Sequence, residues 1–287
     1  MLAVLTALGS SLLYALASVL QHRGASDQPE QESLKVGLLV RLLRNPAWLA
    51  GTACDVGGYV LQFVALGHGA IVLVQPLLVC GLLFALPLGA AWSGRRLSRM
   101  DWVGAGLVCA GLAVFLAVAH PAAGRSDTSP GRWIALLVSV TVLSGILTFV
   151  ATSLDARRRA VLLAAAAGVV YGAAAALTKT TSHLLGRGVG AMLTHWQPYV
   201  LVAFGVAGMV LSQSAFQAGV LDFSLPTMTV TDPVVSIAIG ALVFAEAVAD
   251  RPVAVLVEVV SLVAMSVGVW LLARFEAELS KSQMRGA

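Results

Sequence analysis

Apolar residues along the chain gather into nine runs of spanning length, at residues 2–21, 46–66, 71–92, 102–119, 133–150, 160–178, 199–218, 225–243 and 253–272. A helix needs about 20 mostly apolar residues to cross the hydrocarbon of a bilayer, so each run predicts one transmembrane helix. The expected fold class is an all-α polytopic membrane protein with about nine transmembrane helices. Residues 33–43, SLKVGLLVRLL, are too few to span. There Leu34, Leu38, Leu39, Leu42 and Leu43 cluster at helical spacing opposite Lys35 and Arg41, which predicts an amphipathic helix lying on the cytoplasmic surface.

Polar residues that interrupt this pattern are the candidates for chemistry. In the run beginning at Leu225, Asp232 follows Thr227, Thr229 and Thr231 and precedes Pro233. A carboxylate at this depth costs roughly 3 kcal/mol even on permissive insertion scales, so it is expected to face a bundle interior or a watered cavity. Pro233 has no N–H to give the Thr229 carbonyl, which leaves a backbone acceptor beside the acid. The segment reads either as a substrate or ion site or as a Pro-kinked packing helix whose acid is held by hydroxyls. Asp55, Tyr59 and Gln62 stand at i, i+4, i+7 on one helix face, and Ser11, Tyr14, Ser18 and Gln21, Gln213 with Gln217, and Thr229, Asp232 and Ser236 likewise share faces. Turned inward, these faces would line one cavity; singly, each hydroxyl or amide reads as interhelical glue worth ~0.6 to 2 kcal/mol. Lys179 closes its run and reads as a snorkelling residue, as an ion-pair partner of Asp55 or Asp232, or as an anion-binding charge. Glu246 and Glu258 read as interfacial or as part of a relay, and His68 and His120 as solvated at outer span ends.

An internal repeat orders these positions. A shift of 157 residues lays Tyr14 on Tyr171, Leu20 on Leu177, and the small stripe Ala7, Ser11, Ala15 on Ala164, Gly168, Gly172. Such a stripe lets another helix approach closely. The same shift lays Gln75-Pro76 on Asp232-Pro233. With a small loop difference Asn45-Pro46 falls on Gln197-Pro198, and Gln62 lies beside Gln213. The expected organisation is a first repeat, residues 1–154, with five helices and the amphipathic segment, and a second, residues 155–287, with four helices and a polar tail. An odd number of spans in the first unit inverts the second, an architecture that places a central site at the repeat interface.

Composition agrees with the pattern and sets the topology. With 59% hydrophobic residues, 11% charged residues and a mean hydropathy of +0.89, no soluble domain can be built. The net charge of +4 reflects a bias in Lys/Arg placement rather than a nucleic-acid partner: thirteen fall on one side of the predicted helices and four on the other. The positive-inside rule then puts the N-terminus outside and the C-terminus in the cytoplasm, in a multi-pass protein of the plasma membrane. The first apolar run has no basic stretch before it and reads as a retained helix. Cys54, Cys80 and Cys109 lack metal-ligand spacing and read as buried thiols.

The stretches SSLLYALASVLQHRGA (10–25), WLAG (48–51), VQP (74–76), AHP (119–121), Thr178-Lys179 and FAE (244–246) resemble the drug/metabolite transporter (EamA-like) superfamily, built of two inverted five-helix repeats. Within it the likeness is to the NIPA-type magnesium transporters, commonly drawn with nine helices. That resemblance implies a secondary transporter working by alternating access. One departure bears on substrate: where the family has Gly-Glu in the second helix, Gly58 is followed by Tyr59, and the nearest acid is Asp55. Mg²⁺ wants oxygen ligands, so Asp55 would have to substitute.

The expected function is therefore secondary transport of a small solute, a divalent cation such as Mg²⁺ or a metabolite. The expected substrate or ion site comprises Asp232, Asp55, Tyr59, Gln62, Gln75, Thr229, Gln213, Tyr14, Tyr171 and Lys179, with Asp232 and Asp55 as metal carboxylates. No cofactor is expected beyond transported Mg²⁺ or a coupling H⁺ or Na⁺. Expected partners are membrane lipid and the solute, with a homodimer or accessory subunit left open. A flippase for lipid or lipid-linked intermediates and a non-transporting scaffold are the alternatives. No nucleophile, metal cluster or ATP-binding motif suggests an enzyme.

Overall fold

A computed structural model describes residues 1–26, 45–93, 97–119, 124–218, 221–246 and 252–286. The expected surface helix at 33–43 and His120 lie outside the described residues. Within them the chain is all helix, without strands: α1 (Leu2–Ser26), α2 (Pro46–His68), α3 (Ile71–Val79), α4 (Gly81–Ser93), α5 (Arg99–Ala119), α6 (Pro130–Ala151), α7 (Ala156–Gly186), α8 (Val189–Thr194), α9 (Gln197–Gln217), α10 (Leu221–Leu242) and α11 (Pro252–Gly286). Among the described residues nine helical stretches are long and apolar enough to cross a membrane, α3 and α4 together making one of them. The protein is an all-α polytopic membrane protein.

Helix starts follow capping chemistry. Asn45 accepts from the Ala47 and Trp48 N–H groups (2.9 and 3.2 Å), with Pro46 at the first helical position, where no N–H is needed. Ser129-Pro130 starts α6 in the same way, and Asp155 caps α7. The third span departs from one continuous helix and breaks at Cys80, between α3 and α4. Pro76 withholds a donor from the preceding turn, and just past the break Gly81 passes close to α1, where a Cβ would stand 3.1 Å from the Ser11 carbonyl oxygen. In α10, Pro226 and Pro233 both sit inside an unbroken helix.

The centre of the bundle is α7, more deeply buried than any other span described. Its many small Ala and Gly residues let α2, α6, α9 and α10 all pack on it. α1 packs on α2 and on α3 and α4, while α11 packs on α5, α4 and α10. Both small stripes are buried packing faces: Ala7, Ser11, Ala15, Ala164, Gly168 and Gly172 are all sequestered, the latter two against α10.

Three expectations need correction. α7 runs on through Gly186, so Lys179 lies well inside it rather than at its end. Likewise α11 continues through the polar tail to Gly286. Of the three cysteines only Cys80 is buried; Cys54 is half-buried and Cys109 exposed, because α5 turns that side of itself outward.

Candidate functional site

A cavity of about 950 Å³ lies between α1, α2, α3, α7, α9 and α10. Eight of the ten expected site residues line it: Tyr14, Asp55, Tyr59, Gln62, Gln75, Tyr171, Thr229 and Asp232. Phe63, Leu78, Val79, Ala174, Ala175, Leu201, Val202 and Met228 supply apolar wall between them.

Two tyrosines are held in matching ways. The Tyr14 ring lies against Gly58 of α2, where a Cβ would come within 2.9 Å of it, and its hydroxyl donates to Gln62 Oε1 at 2.7 Å. The Tyr171 ring lies against Gly208 of α9, where a Cβ would come within 2.5 Å, and its hydroxyl shares a 3.4 Å hydrogen bond with Ser212. In each case the glycine admits the ring and the polar residue one turn further on fixes its tip. Ser212 thus holds the place that sequence spacing assigned to Gln213. Gln213 itself is exposed and outside the cavity, because one residue further along a helix turns the side chain about 100° away.

Asp232 accepts from the Ser236 hydroxyl at 3.1 Å. Thr227, Thr229 and Thr231 each donate to the carbonyl four residues before them, so their hydroxyl protons stay within α10. Pro233 lies inside the helix and lines the cavity with Thr229, so the Thr229 carbonyl has no intrahelical donor from that position. Across the cavity the Tyr59 hydroxyl comes within 3.5 Å of Thr178 Oγ1, joining α2 to α7. Thr178 and Thr181 were missed in the sequence because they stand at the expected end of a span. Their signal was the run Thr178-Lys179-Thr180-Thr181 in an otherwise apolar helix. Thr181 Oγ1 is buried and finds no hydrogen-bond partner among the described residues.

Lys179 does not line the cavity. It is 1% exposed and its ammonium donates to Glu246 Oε1 at 2.5 Å. The Glu246 carboxylate also accepts from the Ile71 and Val72 N–H groups, both at 2.8 Å, at the first turn of α3. An anion there meets unsatisfied donors and the positive end of the helix dipole. The backbone reaches this position by turning after α10 through Ala245, at φ 50°, with the Glu246 N–H bonded to the Gly240 carbonyl. At Gly240 a Cβ would stand 2.5 Å from Glu246 Oε2, so a side chain there would displace the carboxylate. The pair is therefore a three-way tie among α3, α7 and the segment after α10, neither the snorkelling lysine nor the Asp55 or Asp232 partner that the sequence offered. Phe244 covers it, with the ammonium 5.1 Å from the ring centroid and Trp133 edge-on at 5.8 Å.

The described cavity lining carries two carboxylates, on Asp55 and Asp232, and no Lys, Arg or His. No group of three or more His, Cys, Asp or Glu suited to a metal ion occurs among the described residues. Oxygen donors for a cation would come from the two carboxylates together with Tyr, Thr and Gln side chains. Glu258 is buried on α11 away from the cavity.

No family model matches the chain, and no solved structure matches it. A curated relative from Corynebacterium glutamicum, "Uncharacterized protein Cgl0250/cg0304", is 35% identical over 275 residues, covering 93% of this chain and 95% of its own length. That likeness runs along almost the whole of both chains, and the chain belongs to the same family as that corynebacterial protein.

Proposed function

We propose that the protein is a secondary transporter that carries a small organic solute through the central cavity by alternating access. The observation that carries this reading is a single cavity of about 950 Å³ where helices from both halves of the chain meet, lined by polar side chains and two carboxylates within an apolar wall. Its volume falls in the range of small-molecule sites, roughly 300–1,000 Å³. The matching Tyr14 and Tyr171 seats support two related halves that rock about this site, as does the resemblance to the drug/metabolite transporters. The Lys/Arg bias supports a plasma-membrane orientation with the N-terminus outside. In that orientation the Lys179–Glu246 tie closes the outer end.

A second reading, transport of Mg²⁺, is favoured by the paired carboxylates Asp55 and Asp232. A hard cation with retained water needs far less room than this cavity provides. Asp232 is the coupling group in either reading, exchanging a proton or Na⁺ for solute.

Uptake into proteoliposomes under imposed proton and sodium gradients, screening organic cations, neutral metabolites and Mg²⁺, tests the proposal. Asp232→Asn keeps size and hydrogen bonding, so it is expected to fold normally and lose coupled uptake. Wild-type uptake by that variant would remove the assignment.

A further inference from the structure

We propose that the groove between α6 and α10 binds one anionic phospholipid, its phosphate on Arg132 and an acyl chain laid along the two helices. The site shares no lining residue with the central cavity, and the proposal does not depend on the transporter reading. Both helices pack on α7, and the groove, about 340 Å³, is the space left between them. Leu136, Val140, Val169 and Ile239 form a buried floor, with Leu143 and Leu242 exposed at the rims. Apart from Arg132 and Ser139 every lining side chain is apolar. The Ser139 hydroxyl donates to the Ala135 carbonyl within α6, so it keeps its proton in the helix.

Length and charge together select the occupant. Along α6 the groove runs from Arg132 to Leu143, which at about 1.5 Å of rise per residue is about 16 Å. That is close to one leaflet, half of the roughly 30 Å of hydrocarbon. Arg132 stands at the start of the spanning stretch, where a membrane places its headgroups, and Leu143 near its middle. The Arg132 side chain is exposed and forms no ion pair among the described residues; its Nη1 donates to the Val243 carbonyl at the long distance of 3.5 Å. Asp127, the acid nearest to it in sequence, accepts instead from Trp133 Nε1 and the Thr128 N–H, both at 2.8 Å. A guanidinium with donors to spare matches a phosphate, and the apolar floor below it matches a hydrocarbon chain. On α10 the groove extends from Val235 to Val243, so a chain seated there braces the stretch between Pro233 and Glu246.

The test is native mass spectrometry of the full chain in detergent, titrated with phosphatidylglycerol and phosphatidylcholine of the same acyl chains, and with glycerol 3-phosphate as a soluble phosphate. Wild type is expected to bind phosphatidylglycerol about fivefold more tightly than phosphatidylcholine, what one arginine beside an anionic headgroup is worth. Arg132→Gln should remove that preference and leave phosphatidylcholine binding unchanged, while Arg132→Lys should keep part of it. Ala238→Phe, made at an exposed lining position, should weaken both lipids by filling the groove. Glycerol 3-phosphate should neither bind nor compete. Equal binding of the two lipids by wild type means solvation by bulk lipid and overturns the proposal, as does an undiminished preference in Arg132→Gln or undiminished lipid binding by Ala238→Phe. Competition by glycerol 3-phosphate overturns it in favour of a soluble anion. Efficient disulfide dimer formation in membranes by Leu242→Cys, in a background without the native cysteines, overturns it in favour of a second copy lying on the groove.

Discussion

Replacing Glu246 by Ala would leave the Lys179 ammonium in a pocket where it is 1% exposed, with the carboxylate it donates to gone. Removing one member of a buried ion pair typically costs about 3–5 kcal/mol. The Ile71 and Val72 N–H groups lose their acceptor at the same time, at about 1–3 kcal/mol for a buried donor left unsatisfied. These terms overlap, and a total near 5 kcal/mol is expected. At about 2–4 °C per kcal/mol, the unfolding midpoint should fall by roughly 10–20 °C. Trp133, edge-on to both Phe244 and Trp196, provides a fluorescent reporter beside the tie. The control is the double variant Lys179→Met with Glu246→Gln, which buries no charge and keeps a carbonyl for the α3 donors. It should recover to within about 2 kcal/mol of wild type. A midpoint shift under about 2 °C for Glu246→Ala would refute the buried tie, as would a double variant no more stable than the single one.

Two further outcomes are expected. At Gly168 even a Cβ would stand 2.7 Å from Thr231 Cβ and 3.0 Å from the Asp232 nitrogen, so Gly168→Leu should sharply lower the folded yield by size-exclusion chromatography; normal yield would mean that α7 and α10 are not in contact there. In a background without Cys54, Cys80 and Cys109, single cysteines at Gly124 and Ala156 should label from outside and from inside respectively, and the reverse pattern would overturn the charge-based topology.

Spans were legible because hydrocarbon imposes one rule on every stretch that crosses it, and that rule depends on length and apolarity alone. Eight residues of the cavity lining were legible for the same reason: a polar side chain at spanning depth has few places to go but inward. Gln213 shows the limit, since an internal repeat aligned by sequence leaves a one-residue ambiguity and a helix converts that into a different face. Lys179 shows another. Its partner Glu246 and the α3 donors come from three separate parts of the chain, and no local pattern joins them. Sequence also drew attention to α10, with its acid and two prolines, whereas the middle of the bundle is α7. Alanine and glycine carry little signal singly, yet they are what allow four helices to crowd onto one.

The Lys179–Glu246 tie also bears on how the chain is made. Its partners lie 67 residues apart, and Glu246 follows Lys179 in the order of synthesis. At roughly 5–20 residues per second, the lysine-bearing helix is complete for several seconds before its counter-ion leaves the ribosome. During that interval an ammonium two turns inside the end of a 31-residue helix must remain at the membrane surface or in the shelter of the insertion machinery. Final seating of α7 therefore waits for the end of α10, and nascent chains that stop short of Glu246 should be substrates for membrane quality control.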